Sequence, residues 1–131
     1  MRNECIELDL DVISCRDAMA AEVIQSWHVS RPIVVELRAG EIVRIGRRNE
    51  QWAAWMWCTG SSGKGCWVPE NYLTAHDDGL TGWLTRDYCS AELEIEAGEW
   101  LSLHLEEGGW WFACNASGAS GWVPASHIRT A

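Results

Sequence analysis

Three landmarks occur twice in this chain, in the same order. Ala39-Gly40-Glu41 recurs as Ala97-Gly98-Glu99, and Trp67-Val68-Pro69 recurs as Trp122-Val123-Pro124. Between them, Trp55-Met56-Trp57-Cys58 is answered by Trp111-Phe112-Ala113-Cys114. The offsets are 58, 56 and 55 residues. The copies thus differ by one or two residues in their connections, where loops accept insertions. A fixed order at near-constant offset marks an internal repeat. Two small domains are expected, with Cys58 and Cys114 at equivalent places.

The whole chain has 131 residues, so each copy has roughly 55. Domains of that size bury only about 60% of their unfolded surface. The ten tryptophans compensate. One buried Trp removes roughly 150–250 Å² from water, worth about 4–6 kcal/mol at ~25 cal/mol/Å² before the entropy cost. Most of these rings are therefore expected in cores.

The net charge is −9, distributed as −3 over residues 1–20, +1 over 21–75 and −7 over 76–131. The second copy offers only Arg86 and Arg129. A nucleic-acid partner is not expected, because phosphate binding needs clustered cations. Arg38, Arg44, Arg47 and Arg48 of the first copy read as a solvated strand face, or as a face that meets the acidic second copy or an acidic ligand. No stretch approaches the ~20 apolar residues of a membrane-spanning helix. The start, Met1-Arg2-Asn3-Glu4-Cys5-Ile6-Glu7, lacks the basic and apolar regions of a secretory signal. A cytoplasmic location is expected, with all six cysteines as thiols. No C-x-x-C spacing occurs, so no metal site is expected. Cys58 and Cys66 flank one hairpin and could face each other.

Along the chain, residues 1–20 form an arm without a counterpart in the second copy. Ile6, Leu8, Leu10 and Val12 alternate with acids in a half-buried strand pattern, and Asp17-Ala18-Met19-Ala20-Ala21-Glu22 reads as a helical turn or a short helix. The first copy spans 21–75. The polar, turn-rich stretch 76–80 reads as a linker, and the second copy spans 81–131. Short alternating runs separated by Gly-rich turns predict about five strands per copy: an all-β chain of two small barrels.

These residues resemble the Src homology 3 (SH3) family, and more narrowly the tandem variant SH3 proteins of bacteria. The resemblance covers about 21–131. It rests on Leu37-Arg38-Ala39-Gly40-Glu41, on the Trp strand, and on the ending Cys66-Trp67-Val68-Pro69-Glu70-Asn71-Tyr72, matched by Gly121-Trp122-Val123-Pro124-Ala125-Ser126-His127. Thr85-Arg86-Asp87-Tyr88 resembles the family's first-strand Asp-Tyr element, and Ile24-Gln25-Ser26-Trp27 takes that place in the first copy. The resemblance implies two tandem SH3-like barrels that hold extended or Pro-rich peptides in aromatic grooves. Such peptides are already ordered, so little entropy is lost on binding.

The resemblance implies a first groove of Trp27, Trp55, Trp67, Pro69 and Tyr72, and a second of Tyr88, Trp110, Trp122, Pro124 and His127. Matching by hairpin length aligns Trp55 with Trp110, and matching by cysteine aligns it with Trp111. Trp52 is a further candidate. The family's acidic first loop is not matched by His28-Val29-Ser30-Arg31-Pro32, and the second copy has a short loop with Glu92. The first copy keeps the closing Tyr72, so it is expected to be the better binder.

No enzyme motif occurs, and no cofactor is implied. His104 lies between Leu103 and Leu105 and reads as a surface strand residue. Two functions follow. One is a non-catalytic protein- or peptide-binding module. The other is a structural or assembly protein, in which the grooves are buried between domains or in a homo-oligomer. Exposure of Trp27, Trp55, Trp67 and Tyr72 separates them.

Overall fold

A computed structural model describes residues 19–131. The expected arm strand around Ile6, Leu8, Leu10 and Val12 lies outside the described residues. The described chain is all-β, with no α-helix and only two 3-10 turns, Glu70–Tyr72 and Ala125–His127. None of its elements is a helix long and apolar enough to cross a membrane. The strands are β1 (Met19–Val23), β2 (Glu36–Leu37), β3 (Ile42–Arg48), β4 (Trp55–Thr59), β5 (Gly65–Pro69) and β6 (Leu73–Ala75). They continue as β7 (Thr81–Leu84), β8 (Tyr88–Cys89), β9 (Trp100–Glu107), β10 (Trp110–Cys114), β11 (Ser120–Pro124) and β12 (Ile128–Thr130).

These strands form three antiparallel sheets, none closed into a barrel. Two have five strands, in the orders β11-β10-β9-β1-β12 and β5-β4-β3-β7-β6, and the third pairs β2 with β8. The chain divides into two compact units. One, the inserted unit, is Val35–Ser90; the other, the split unit, takes 19–34 together with 91–131.

These units cut across the boundaries expected from the repeat. β1, which opens the first copy, lies between β9 and β12 of the second. β7, which opens the second copy, lies between β3 and β6 of the first. The expected linker 76–80 is the hairpin turn between β6 and β7. There the His76 amide donates to Thr81 O at 2.8 Å, and Asp78 Oδ1 accepts from the amides of Leu80 and Thr81. Those amides hold the Asp78 carboxyl below its ordinary pKa. The turn chemistry of the segment is as its composition suggests, but its role is to pair two strands rather than to join two domains.

The helical turn expected around 17–22 is replaced, over its described part, by β1. Alanine favours helix, but propensity is a weak prior. As a strand this segment pairs on both edges and buries Ala21 and Val23 completely. They join Leu93, Ile95, Leu101, Leu103, Ala113, Val123 and Ile128 in the core of the split unit. The alternation of Leu101 and Leu103 with Ser102 in β9 is what lets one face enter that core.

The repeated Ala-Gly-Glu has a physical explanation. Gly40 and Gly98 have φ of +84° and +97°, a region costly for a residue with Cβ. The turn lets the Gly40 amide donate to Leu84 O and the Gly98 amide to Val23 O, both at 2.7 Å. The glutamate closes it: Glu41 Oε1 accepts from the Arg38 amide, and Glu99 Oε1 from the Glu96 amide. Each turn thus anchors the first strand of the other copy.

Candidate functional site

The Trp strands and the strands after them position the aromatic rings. In the β4–β5 ladder Trp55 faces Pro69 and Trp57 faces Trp67; in β10–β11, Trp110 faces Pro124 and Phe112 faces Trp122. The matching pairs stack alike, edge to face at 5.1 Å for Trp57–Trp67 and 5.3 Å for Phe112–Trp122. Hairpin geometry therefore aligns Trp55 with Trp110. The counterpart of Cys58 is then Ala113, which corrects the equivalence with Cys114 suggested by the cysteine landmark. Trp52 lies outside these ladders, in the turn before β4, where its amide donates to Asn49 Oδ1.

The ten candidate residues gather into two sets, but not the two sets read from the repeat. Trp27 joins the second copy: its ring stands edge-on to Trp110 at 5.4 Å and to His127 at 5.3 Å. Tyr88 joins the first copy. Its ring lies 6.5 Å from Trp55 and 5.7 Å from Tyr72, and its hydroxyl donates to Trp67 O at 2.6 Å. The exchange of first strands carries these two aromatics with it.

The two sets differ in character. In the inserted unit Trp55, Pro69, Tyr72 and Tyr88 are buried, and Trp67 is half-buried. Arg86 lies over the Tyr72 ring at 4.6 Å and Arg47 over the Trp67 ring at 4.9 Å. Both are attracted by the negative face of the ring. Arg48 makes a two-pronged ion pair with Glu70 at 2.9 and 3.0 Å. It is exposed and hence contributes little to stability. Two of the four arginines on the expected cationic face are thus used within their own unit.

In the split unit Trp110, Trp122 and Pro124 are buried, while Trp27 and His127 are half-buried. Beside Trp27 runs a regular array. Glu92, Glu94 and Glu96 alternate along one segment, and Ser30, His28 and Ser26 alternate along the facing one. Glu92 accepts from Trp27 Nε1 at 3.0 Å and from the Ser30 hydroxyl at 2.8 Å. His28 Nδ1 lies 2.6 Å from Glu94 Oε2, and Ser26 Oγ donates to Glu96 Oε1 at 3.2 Å. The Trp27–Ile95 bridge sets this register. The Glu94 carboxylate raises the pKa of His28, whose hydrogen bond in turn lowers that of Glu94. The three acids all lie on the second copy, and their hydrogen-bond partners come from residues 26–30 of the first. The period-two acids were visible in the sequence; their partners, 62, 66 and 70 residues earlier, were not. One ligand atom each of His28, Glu94 and Glu96 lies within 4.8 Å of the others, but all three are exposed and both carboxylates already serve the facing loop.

The cysteines also depart from expectation. Cys89 is disulfide-bonded, so the six are not all thiols. Cys58 and Cys66 are buried free thiols that face each other across β4–β5, and burial pushes the Cys58 thiol up to about 11. His104 is half-buried, beside the irregularity where β9 meets β10. Its Nδ1 is enclosed without a hydrogen-bond partner, and burial lowers its pKa.

No family model, curated protein or solved structure matches this chain.

Proposed function

We infer that the chain is a non-catalytic protein- or peptide-binding module built from two SH3-like units, and that the ligand contacts lie in the split unit. The observation that carries this reading is the placement of Trp27. Its half-buried indole meets Trp110 and His127 edge-on, and its N–H is held by Glu92 in an array of three glutamates. Rings supply rigid area for an extended chain, and carboxylates beside them suit a ligand with a Lys or Arg. In the inserted unit Tyr72, the counterpart of His127, and Trp67, the counterpart of Trp122, lie under Arg86 and Arg47. A ligand there would first have to displace those guanidinium groups.

The test is titration of the full chain against extended Pro-rich peptides with and without a basic residue, followed by tryptophan fluorescence. Removing one central ring typically costs about 2–4 kcal/mol, so Trp27→Ala should weaken binding roughly 30-fold or more, while Trp67→Ala should leave it within about threefold. Equal effects of the two variants, or no difference between basic and neutral peptides, would reject this site.

A second reading has its own support. Trp55, Tyr72, Tyr88, Trp110 and Trp122 are all less than a tenth exposed. Closed rings suit a structural or assembly role, in which they hold the fold together and a homo-oligomer supplies the function. Absence of binding across the peptide set, together with a concentration-dependent oligomer in sedimentation, would favour it.

A further inference from the structure

The first strands of the two copies occupy matching places in two sheets, yet each stands in the sheet of the other copy. Ala21 of β1 faces Leu101 and Thr130, and Gly82 of β7 faces Val43 and Ala75. By the repeat offsets Leu101 matches Val43 and Thr130 matches Ala75, so Ala21 and Gly82 fill the same slot. The slots are not equally roomy. Ala21 is wholly buried, its methyl accepted into the core of the split unit. At Gly82 a methyl would lie 2.4 Å from the carbonyl oxygen of Thr74, 3.1 Å from Ala75 Cα and 2.9 Å from Ile45 Cδ1. Two of those neighbours are backbone of the adjacent strand, which cannot move without breaking the ladder.

We propose that Gly82 decides which first strand enters which sheet. The inserted sheet takes only the strand with glycine at this place. Residues 19–23 bring Ala21 to it and are refused, and they pair instead with β9 and β12. The selection is one-way on steric grounds, since glycine in the Ala21 slot would lose only a methyl. The neighbouring positions reinforce it. Glu22 faces Arg129 and accepts from its guanidinium at 2.8 Å. In the inserted sheet the matching place faces Thr74, which offers no cation. Trp83 holds that place and packs its ring on His76 at 5.0 Å. The interlaced pairing is therefore a built-in choice between two arrangements of one repeated sequence, and a single side chain makes it.

The decisive variant is Ala21→Gly in the full chain, because loss of one buried methyl is tolerated. The protein is unfolded in urea, refolded, and its cross-strand backbone contacts are read by NMR. The native chain should show residue 21 against Leu101 and Thr130 only. Ala21→Gly should show a second set of resonances, with residue 21 against Val43. Gly82→Ala, which overpacks the slot, should lower the melting temperature by about 10 °C. If Ala21→Gly keeps only the native contacts, or Gly82→Ala melts like the native chain, selection by Gly82 is wrong. Should Gly82→Ala fail to fold, the NMR result for Ala21→Gly decides alone.

Discussion

Trp27 and Trp110 stand edge to face, their ring centroids 5.4 Å apart at 83°, although one opens the first copy of the repeat and the other lies in the Trp strand of the second. Trp55 and Tyr88 form the reciprocal pair at 6.5 Å and 61°. Edge-to-face aromatic pairs carry about 0.5–1.5 kcal/mol beyond their burial. Double-mutant cycles with Trp27→Leu and Trp110→Leu, and with Trp55→Leu and Tyr88→Leu, should each return a coupling of about 1 kcal/mol in chemical unfolding. Additive losses in both cycles would show that the rings do not interact across the copies.

The two Ala-Gly-Glu turns should respond alike to a methyl group. Nothing lies within 4 Å of the place where Cβ would stand at Gly40 or Gly98, so the cost comes from the positive φ alone. Gly40→Ala and Gly98→Ala should each destabilise by about 1–2 kcal/mol. The urea midpoint should fall with an unchanged slope. A neutral effect at either site would mean that the turn relaxes without strain.

Stability should decline in mild acid through His104. Burial lowers its folded pKa below the ordinary 6.5. The neutral ring is thus favoured in the fold, and this contribution is complete above pH 6.5 and lost as pH falls through the lowered value. His28 acts in the opposite sense. Its pKa is raised by Glu94, so its contribution is complete below 6.5 and fades as pH rises through the raised value. His104→Gln should flatten the decline between pH 7.5 and 5 in urea titrations, and Glu94→Gln should not. A decline unchanged in His104→Gln would assign it to other groups.

Thiol chemistry should sort the free cysteines by burial. Cys58 is fully buried and its thiol is pushed up to about 11, so almost no thiolate exists at pH 8. Cys66 is also buried, whereas Cys114 is half-buried. An aromatic disulfide reagent should label Cys114 in a fast phase that Cys114→Ser removes. Cys58 should react only at the rate of local opening and speed up in urea. Fast labelling of Cys58 in the native chain would contradict its burial.

The repeated landmarks by themselves determined that the chain is β-rich with short strands on each side of the 76–80 turn; about five per copy were expected, and the structure has six on each side, two-residue strands included. The reason is local: alternation at period two, glycine where φ must be positive, and proline where the ladder ends are properties of a few neighbouring residues. The pairing of Trp55 with Pro69 and of Trp110 with Pro124 was likewise within reach, because hairpin length sets register. The aromatic sets were not. Trp27 and Tyr88 are interchangeable as sequence, each an aromatic three residues after Ile24 or Thr85. By alternation and spacing alone, the strand that carries each one suits either sheet. Only the tertiary structure decided between them, through contacts made by residues far apart in the chain: Ala21 in a slot that holds its methyl, Gly82 against the carbonyl of Thr74, and Glu22 beside Arg129. The acid array depended on the same decision, since Glu92, Glu94 and Glu96 acquire their partners Ser30, His28 and Ser26 only when residues 19–34 cross to the second copy. Non-local steric fit carries no periodicity, and so it leaves no mark in the sequence until the strands have met.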